Sequence, residues 1–196
     1  MRCTMKLLLV AVSLLLALPA AAQLPSPPLD SARGKITYAA RLQVPETTQA
    51  QLYDRALQWL ATVATRNTYV PPVTDAANGI LSANAEVPFL VRAATGSFRA
   101  TLWRELRVTV QQGEARCEMT GFLVQPYVAS ATWTLPTAAQ LKLTPAEDYL
   151  DRSNRLYYDA QGHPTAHARS VLEALEQQSA TLLASLRAAL AKPVDF

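Results

Sequence analysis

Hydrophobic residues recur with two different periods along this chain, and the changes of period lay out its elements. Over residues 35–44, Ile36, Tyr38, Ala40, Leu42 and Val44 alternate with Lys35, Thr37, Arg41 and Gln43, the pattern of a half-buried strand. Pro45 closes it. Over residues 48–65 the spacing lengthens. At about 100° per residue, Leu52, Tyr53, Ala56, Leu57, Trp59, Leu60, Val63 and Ala64 fall on one side. Gln51, Asp54, Arg55, Gln58 and Thr62 fall on the other. This predicts an amphipathic helix broad enough to lie across a sheet. Thr48 and, three residues on, Gln51 form a capping box at its start. Residues 67–75, with Pro71-Pro72, bring the chain back through a short edge strand.

From Gly79 the period of two returns for three long segments. Leu81, Ala83, Ala85, Val87, Phe89 and Val91 share one face. After the Thr95-Gly96 turn, so do Phe98, Ala100, Leu102, Leu106, Val108 and Val110, and past Gly113 so do Ala115, Cys117, Met119, Gly121 and Leu123. Short turns between them predict an antiparallel meander. A one-residue slip in the last hairpin would mix core and solvent faces. The register that avoids this pairs Val110 with Ala115, Val108 with Cys117, Leu106 with Met119 and Leu102 with Leu123. Its solvent face sets Arg107 against Glu118 and Trp103 against Phe122. Arg104 breaks the alternation by pointing inward, with Gly121 as its predicted partner.

Periodicity fades over residues 126–162. There Thr144-Pro145-Ala146-Glu147 reads as a capped short helix running to about Arg152, and Tyr149, Tyr157 and Tyr158 fasten the excursion to the body. Residues 163–192 form a long helix ended by Pro193. Its stripe of Ala168, Leu172, Leu175, Ser179, Leu182, Leu186 and Ala189 is widened by Val171, Leu183 and Leu190, which favours packing on the sheet over a narrow coiled-coil seam. The fold class that follows is α+β. We expect an antiparallel sheet of about four to five strands, a helix after the first strand and a long C-terminal helix packed on one face.

The first 22 residues stand apart. Arg2 and Lys6, an apolar run over residues 7–18 and Ala20-Ala21-Ala22 make a secretory signal peptide, with the run too short for a membrane anchor. Residues 23–34 follow as a Pro-rich leader, residues 35–125 as the core. The expected location is outside the cytoplasm, periplasmic or extracellular. Losing Arg2 and Lys6 leaves 16 basic against 15 acidic residues, a net charge of +1 rather than +3. That balance argues against a nucleic-acid partner, which demands a concentrated positive field. Cys117 is the one cysteine beyond the signal, so no internal disulfide braces the mature chain.

Four stretches in this order resemble one family: GKITY at 34–38, the TxxQLYxRAxxWL pattern at 48–60, NGIL at 78–81 and the final helix. The family is the bacterial domain of unknown function 4468, with a TATA-binding-protein-like fold. The likeness covers about residues 34–125 and the last helix; residues 126–162 have no counterpart. It implies the fold and export, and brings no activity with it.

His163 and His167 lie four apart with Asp159 nearby, but zinc needs a further strong ligand and His163 precedes Pro164 at the helix start. We therefore expect no metal and no cofactor. Cys117 on an inward strand face reads as an inert buried thiol. There is no GxSxG, HExxH or phosphate-binding glycine loop, and Glu147, Asp148 and Asp151 read as charges at a helix start. No catalytic residue is assigned. The solvent face of the sheet, with Trp103, Phe122, Arg107, Glu118 and Arg41, is the candidate binding surface; cover by residues 126–162 or by the leader fits that face equally. The expected function is an exported, non-catalytic module binding an envelope protein or cell-surface component. It would have no membrane span in the mature chain and act as a monomer or as a homodimer through its last helix. The alternative is an uncharacterised hydrolase with its site in residues 126–162. A cleft holding a cluster of shifted ionisable groups would favour the enzyme.

Overall fold

The computed structural model describes residues 26–64, 71–94, 96–126 and 143–192. The expected signal peptide over residues 1–22, Thr65, Thr95, residues 127–142 of the excursion and Pro193 lie outside them. Among the described residues no helix is long and apolar enough to cross a membrane.

The chain runs as β1 (Leu29–Asp30), β2 (Lys35–Ile36), β3 (Tyr38–Gln43), α1 (Gln49–Val63), β4 (Val73–Asp75), β5 (Ile80–Ala93), β6 (Gly96–Gln111), β7 (Glu114–Pro126) and β8 (Thr144–Pro145). A 3-10 turn (Ala146–Leu150) and α2 (Ala166–Ala191) complete it. The fold is α+β, as the alternation predicts, with more strands than expected. Six form one antiparallel sheet in the order β3-β7-β6-β5-β4, with β8 beside β7, while β1 and β2 make a separate two-stranded sheet. The additional strands are two or three residues long, too short to show a period.

Both helices cover one face of the sheet. Leu52, Tyr53, Ala56, Trp59 and Leu60 of α1 are buried against inward Leu81, Leu102, Leu106, Val108, Val110, Cys117 and Met119 in one core. Thr48 caps α1 by accepting from the Gln51 N–H, and the Gln51 side chain accepts from the Thr48 N–H, so the capping box forms. Leu57, expected on the apolar face, is 38% exposed because it sits at the margin of the stripe. The face of α2 is spent on the sheet and on α1, with Val171, Leu175, Leu186 and Leu190 fully buried.

Polar bonds fix how the layers meet. The Trp59 indole N–H donates to Ser185 Oγ (2.9 Å), and Arg55 Nη1 donates to the Leu190 carbonyl (2.7 Å) at the end of α2, where carbonyls lack helical partners. Tyr38 Oη donates to Glu176 Oε2 (3.0 Å), holding α2 over β3. The expected helix at residues 144–152 is a correction: Thr144 and Pro145 pair with β7, only a 3-10 turn follows, and no side chain caps it. Glu147 instead accepts from the Ile36 N–H at 2.9 Å, a partner 111 residues away. The tyrosines behave as expected. Tyr149 and Tyr158 are buried, Tyr158 Oη donates to the Tyr149 carbonyl (3.0 Å), and Tyr157 stacks 4.2 Å from Tyr149.

Candidate functional site

The face of the sheet opposite the two helices is set by the β6–β7 hairpin. Near its turn the predicted register holds: Val110 pairs with Ala115, Val108 with Cys117, Leu106 with Met119 and Arg107 with Glu118. Farther out it changes. Pairing passes from Glu105–Thr120 directly to Trp103–Leu123, so Gly121 and Phe122 together stand opposite Arg104. This is a β-bulge with glycine in the left-handed region, φ +62°. The extra residue turns Phe122 inward, where it is 0% exposed and meets Tyr38 edge to face at 5.7 Å. Leu123 turns outward beside Trp103, and Val124 pairs with Leu102 in the core.

The expected pairs Trp103–Phe122 and Leu102–Leu123 are therefore corrected, and Gly121 shares its place opposite Arg104 with Phe122. Phe122 belongs to the core and not to the candidate surface. Gly121 makes no room for Arg104 either, because a Cβ there would come within 3.0 Å of Glu105 Cδ. Glu105 lies over the bulge.

Beside the bulge opens a cleft of about 380 Å³, lined by Asn84, Trp103, Arg104, Glu105, Gly121, Leu123, Gln125 and Leu143. Trp103 is half-buried, and its indole N–H donates to Gln125 Oε1 at 3.1 Å, which fixes the ring at the rim. Arg104 points inward as predicted and is 5% exposed. Its Nε and Nη1 have no hydrogen-bond partner among the described residues, and desolvation lowers its pKa below the usual arginine range. The Cys117 thiol is pushed up to about 12 by burial, which leaves it protonated and unreactive at neutral pH.

The other predicted site residues lie nearer the hairpin turn. Glu118 faces Arg107 and takes ion pairs from Arg33 Nη1 (3.2 Å) and Arg116 Nη2 (3.5 Å). Arg41 stands across from Arg116. None of Arg41, Arg107 and Glu118 lines the cleft. Of the five expected site residues, Trp103 alone does. The residues that frame it with Trp103 were missed. Leu123 and Gln125 reach it only through the shifted register, whereas Asn84 stands opposite Glu105 in the regular β5–β6 ladder; the signal for the shift was a glycine inside a strand.

The two histidines separate. His163 Nδ1 lies 3.3 Å from Asp159 Oδ2 in an exposed loop. His167 is wedged edge-on among Phe98, Tyr149 and Tyr157 at 5.5–5.7 Å, and desolvation lowers its pKa. Among the described residues no three metal-ligating side chains stand together.

Comparison with known proteins bears on the fold. Residues 38–125 match the family described as Domain of unknown function (DUF4468) with TBP-like fold. A DUF4468 family protein from Bacteroides ovatus ATCC 8483 superposes with a TM-score of 0.58 at 16% identity, over 87% of this chain and 92% of that one. A TBP-like protein from Parabacteroides distasonis ATCC 8503 gives 0.55 at 14% identity, over 82% and 96%. At these identities the likeness is one of fold. No curated protein matches the chain.

Proposed function

Over residues 38–125 this chain is a DUF4468 domain with a TBP-like fold, and on that premise we propose that it is an exported, non-catalytic module binding an envelope protein or cell-surface component. The observation that carries the reading is the cleft beside Trp103. It is a concave site on the face opposite the helices, with an oriented aromatic ring, apolar Leu123 and Leu143, and polar Asn84, Glu105 and Gln125 at its walls. Sites of this composition bind ligands through apolar contact and a few placed polar groups.

Two further observations support binding over catalysis. Among the described side chains whose pKa is shifted, Arg104 alone lines the cleft, whereas Tyr38, Cys117 and Tyr149 are shifted mainly by burial elsewhere. The N-terminal basic, apolar and alanine segments support export.

The test is crosslinking in intact cells, with mass spectrometry of captured partners, repeated for Trp103→Ala. We expect capture to weaken by more than about 1 kcal/mol while denaturant stability falls only modestly, as for an aromatic anchor at an interface. Unchanged capture, or a loss that merely follows unfolding, would refute the cleft as the binding site.

A further inference from the structure

A second surface, separated from the Trp103 cleft by β7, has its own geometry. Among the described residues strand β3 ends the sheet and pairs on one side only, with β7. The direction of its backbone groups follows from two bonds at its ends. The Val44 N–H donates toward β7, to the Gly113 carbonyl (2.8 Å), whereas the Thr37 N–H donates the other way, to the Pro28 carbonyl (2.9 Å). N–H and C=O groups alternate sides along an antiparallel strand. Tyr38, Ala40 and Leu42 therefore bond to β7, and Ala39, Arg41 and Gln43 turn theirs outward.

Among the described residues nothing pairs with these three donors and three acceptors. They span five residues, about 17 Å. The same edge already carries added structure, since β1 pairs antiparallel with β2 immediately before it. No proline interrupts Tyr38–Gln43, so the edge lacks one common device that blunts free strands.

Beside this edge the last turns of α2 form the far wall of a groove of about 170 Å³. Arg41, Gln43 and Arg187 line it, with Leu42, Val44 and Leu190 as its apolar part. No carboxylate lines it, and neither arginine has an ion pair among the described residues. Arg41 stands directly opposite Arg116, a like-charge pairing that costs stability and that an incoming anion would relieve. A second copy of β3 laid on this edge would bring another Arg41 into the same groove. The charge therefore selects against self-pairing and for an acidic strand.

We propose that the free edge of β3 receives an extended acidic polypeptide segment as an additional strand. Its backbone pairs with Ala39, Arg41 and Gln43, and its Asp or Glu side chains lie between Arg41 and Arg187. Main-chain bonds supply the affinity in this mode and the side-chain pockets the selectivity.

The probe is a fluorescein-labelled peptide of alternating valine and glutamate, eight residues long by design, titrated into the full-length protein by anisotropy. Its controls are the valine–lysine version and one N-methylated on the face that would pair with β3. Amide hydrogen exchange is followed on the same samples. We expect saturable binding that weakens with salt, falls about tenfold or more in Arg41→Glu and in Arg187→Glu, and is lost in both control peptides. The Ala39, Arg41 and Gln43 amides should exchange at least about tenfold more slowly in the complex, while Ala40 and Leu42 barely change. Three outcomes would overturn the proposal. One is binding without that protection. Another is protection of the three amides already in the free protein, meaning that the chain's own residues or a second copy fill the edge. The third is equal arginine-dependent binding of heparin or phosphatidylglycerol vesicles without protection. Because Trp103 lies outside this groove, Trp103→Ala should leave peptide binding unchanged, so failure here and failure of the cleft are separable.

Discussion

The two halves of the β6–β7 hairpin are made of similar residues and obey different rules. In the half nearest the turn, every second residue is buried, and Val108, Val110, Ala115 and Cys117 fill one face while Arg107 and Glu118 fill the other. In the far half a single left-handed glycine adds one residue to β7 alone, and the alternation on that strand restarts in the opposite phase. An aromatic is thereby traded from surface to core and a leucine from core to surface. The comparison shows that which face a strand buries is a local property, renewed at each irregularity, and that the cleft exists where the phase changes.

The largest expected effect tests that inversion directly. Phe122→Ala should cost about 3–5 kcal/mol by denaturant melt, because it empties a fully buried site against Tyr38. Leu123→Ala, at a part-exposed position, should cost less than about 1 kcal/mol. An uninterrupted alternation requires the reverse order, so a larger loss at Leu123 would remove the bulge from the account.

A smaller effect is expected at the point of inversion. Gly121→Ala should destabilise by about 1–2 kcal/mol, since a side chain is disfavoured at positive φ and the new Cβ meets the Glu105 side chain. Gly113→Ala in the hairpin turn is the control for φ alone, because there a Cβ meets only the Val44 carbonyl at 3.9 Å. If the two cost the same, the contact with Glu105 contributes nothing.

The smallest change is expected at Arg104, the residue the bulge embraces. A buried guanidinium whose Nε and Nη1 lack partners among the described residues gives the fold little, and an apolar side chain of similar length should replace it. Arg104→Met should alter stability by less than about 1 kcal/mol or raise it. A loss of several kcal/mol by thermal or denaturant melt would mean that Arg104 holds an essential ion pair.

These sites also mark the limit of what the residues alone reveal. Helix α1 was legible to its cap because Thr48 and Gln51 lie three positions apart and need no distant partner. The hairpin was legible as far as Met119 because its turn fixes the register. Beyond that, Gly121 admitted two readings, space for Arg104 or a bulge, and residue type does not report a positive φ. The spacing from Thr144 predicts a local cap for Glu147, but its carboxylate serves Ile36, and such tertiary competition leaves no trace in neighbouring residues. The candidate surface suffered most. Trp103 could be placed on the open face from alternation, whereas Leu123 and Gln125 join it only once the shifted pairing is known, and Phe122 leaves it for the same reason.

The placement of β3 has a consequence for the order of folding. Each turn of the meander closes at once, as in Ala93–Gly96 and Gln111–Glu114, whereas Tyr38 must find Met119 across 81 intervening steps of chain. Closing a loop of that length costs about 4 kcal/mol in chain entropy, and contacts so distant form slowly. The meander of β5, β6 and β7 can therefore assemble first, with the outer side of β7 open until β3 arrives. During that interval β7 is the exposed edge of a nascent sheet, and the arrival of β3 is the step that ends its exposure to other chains.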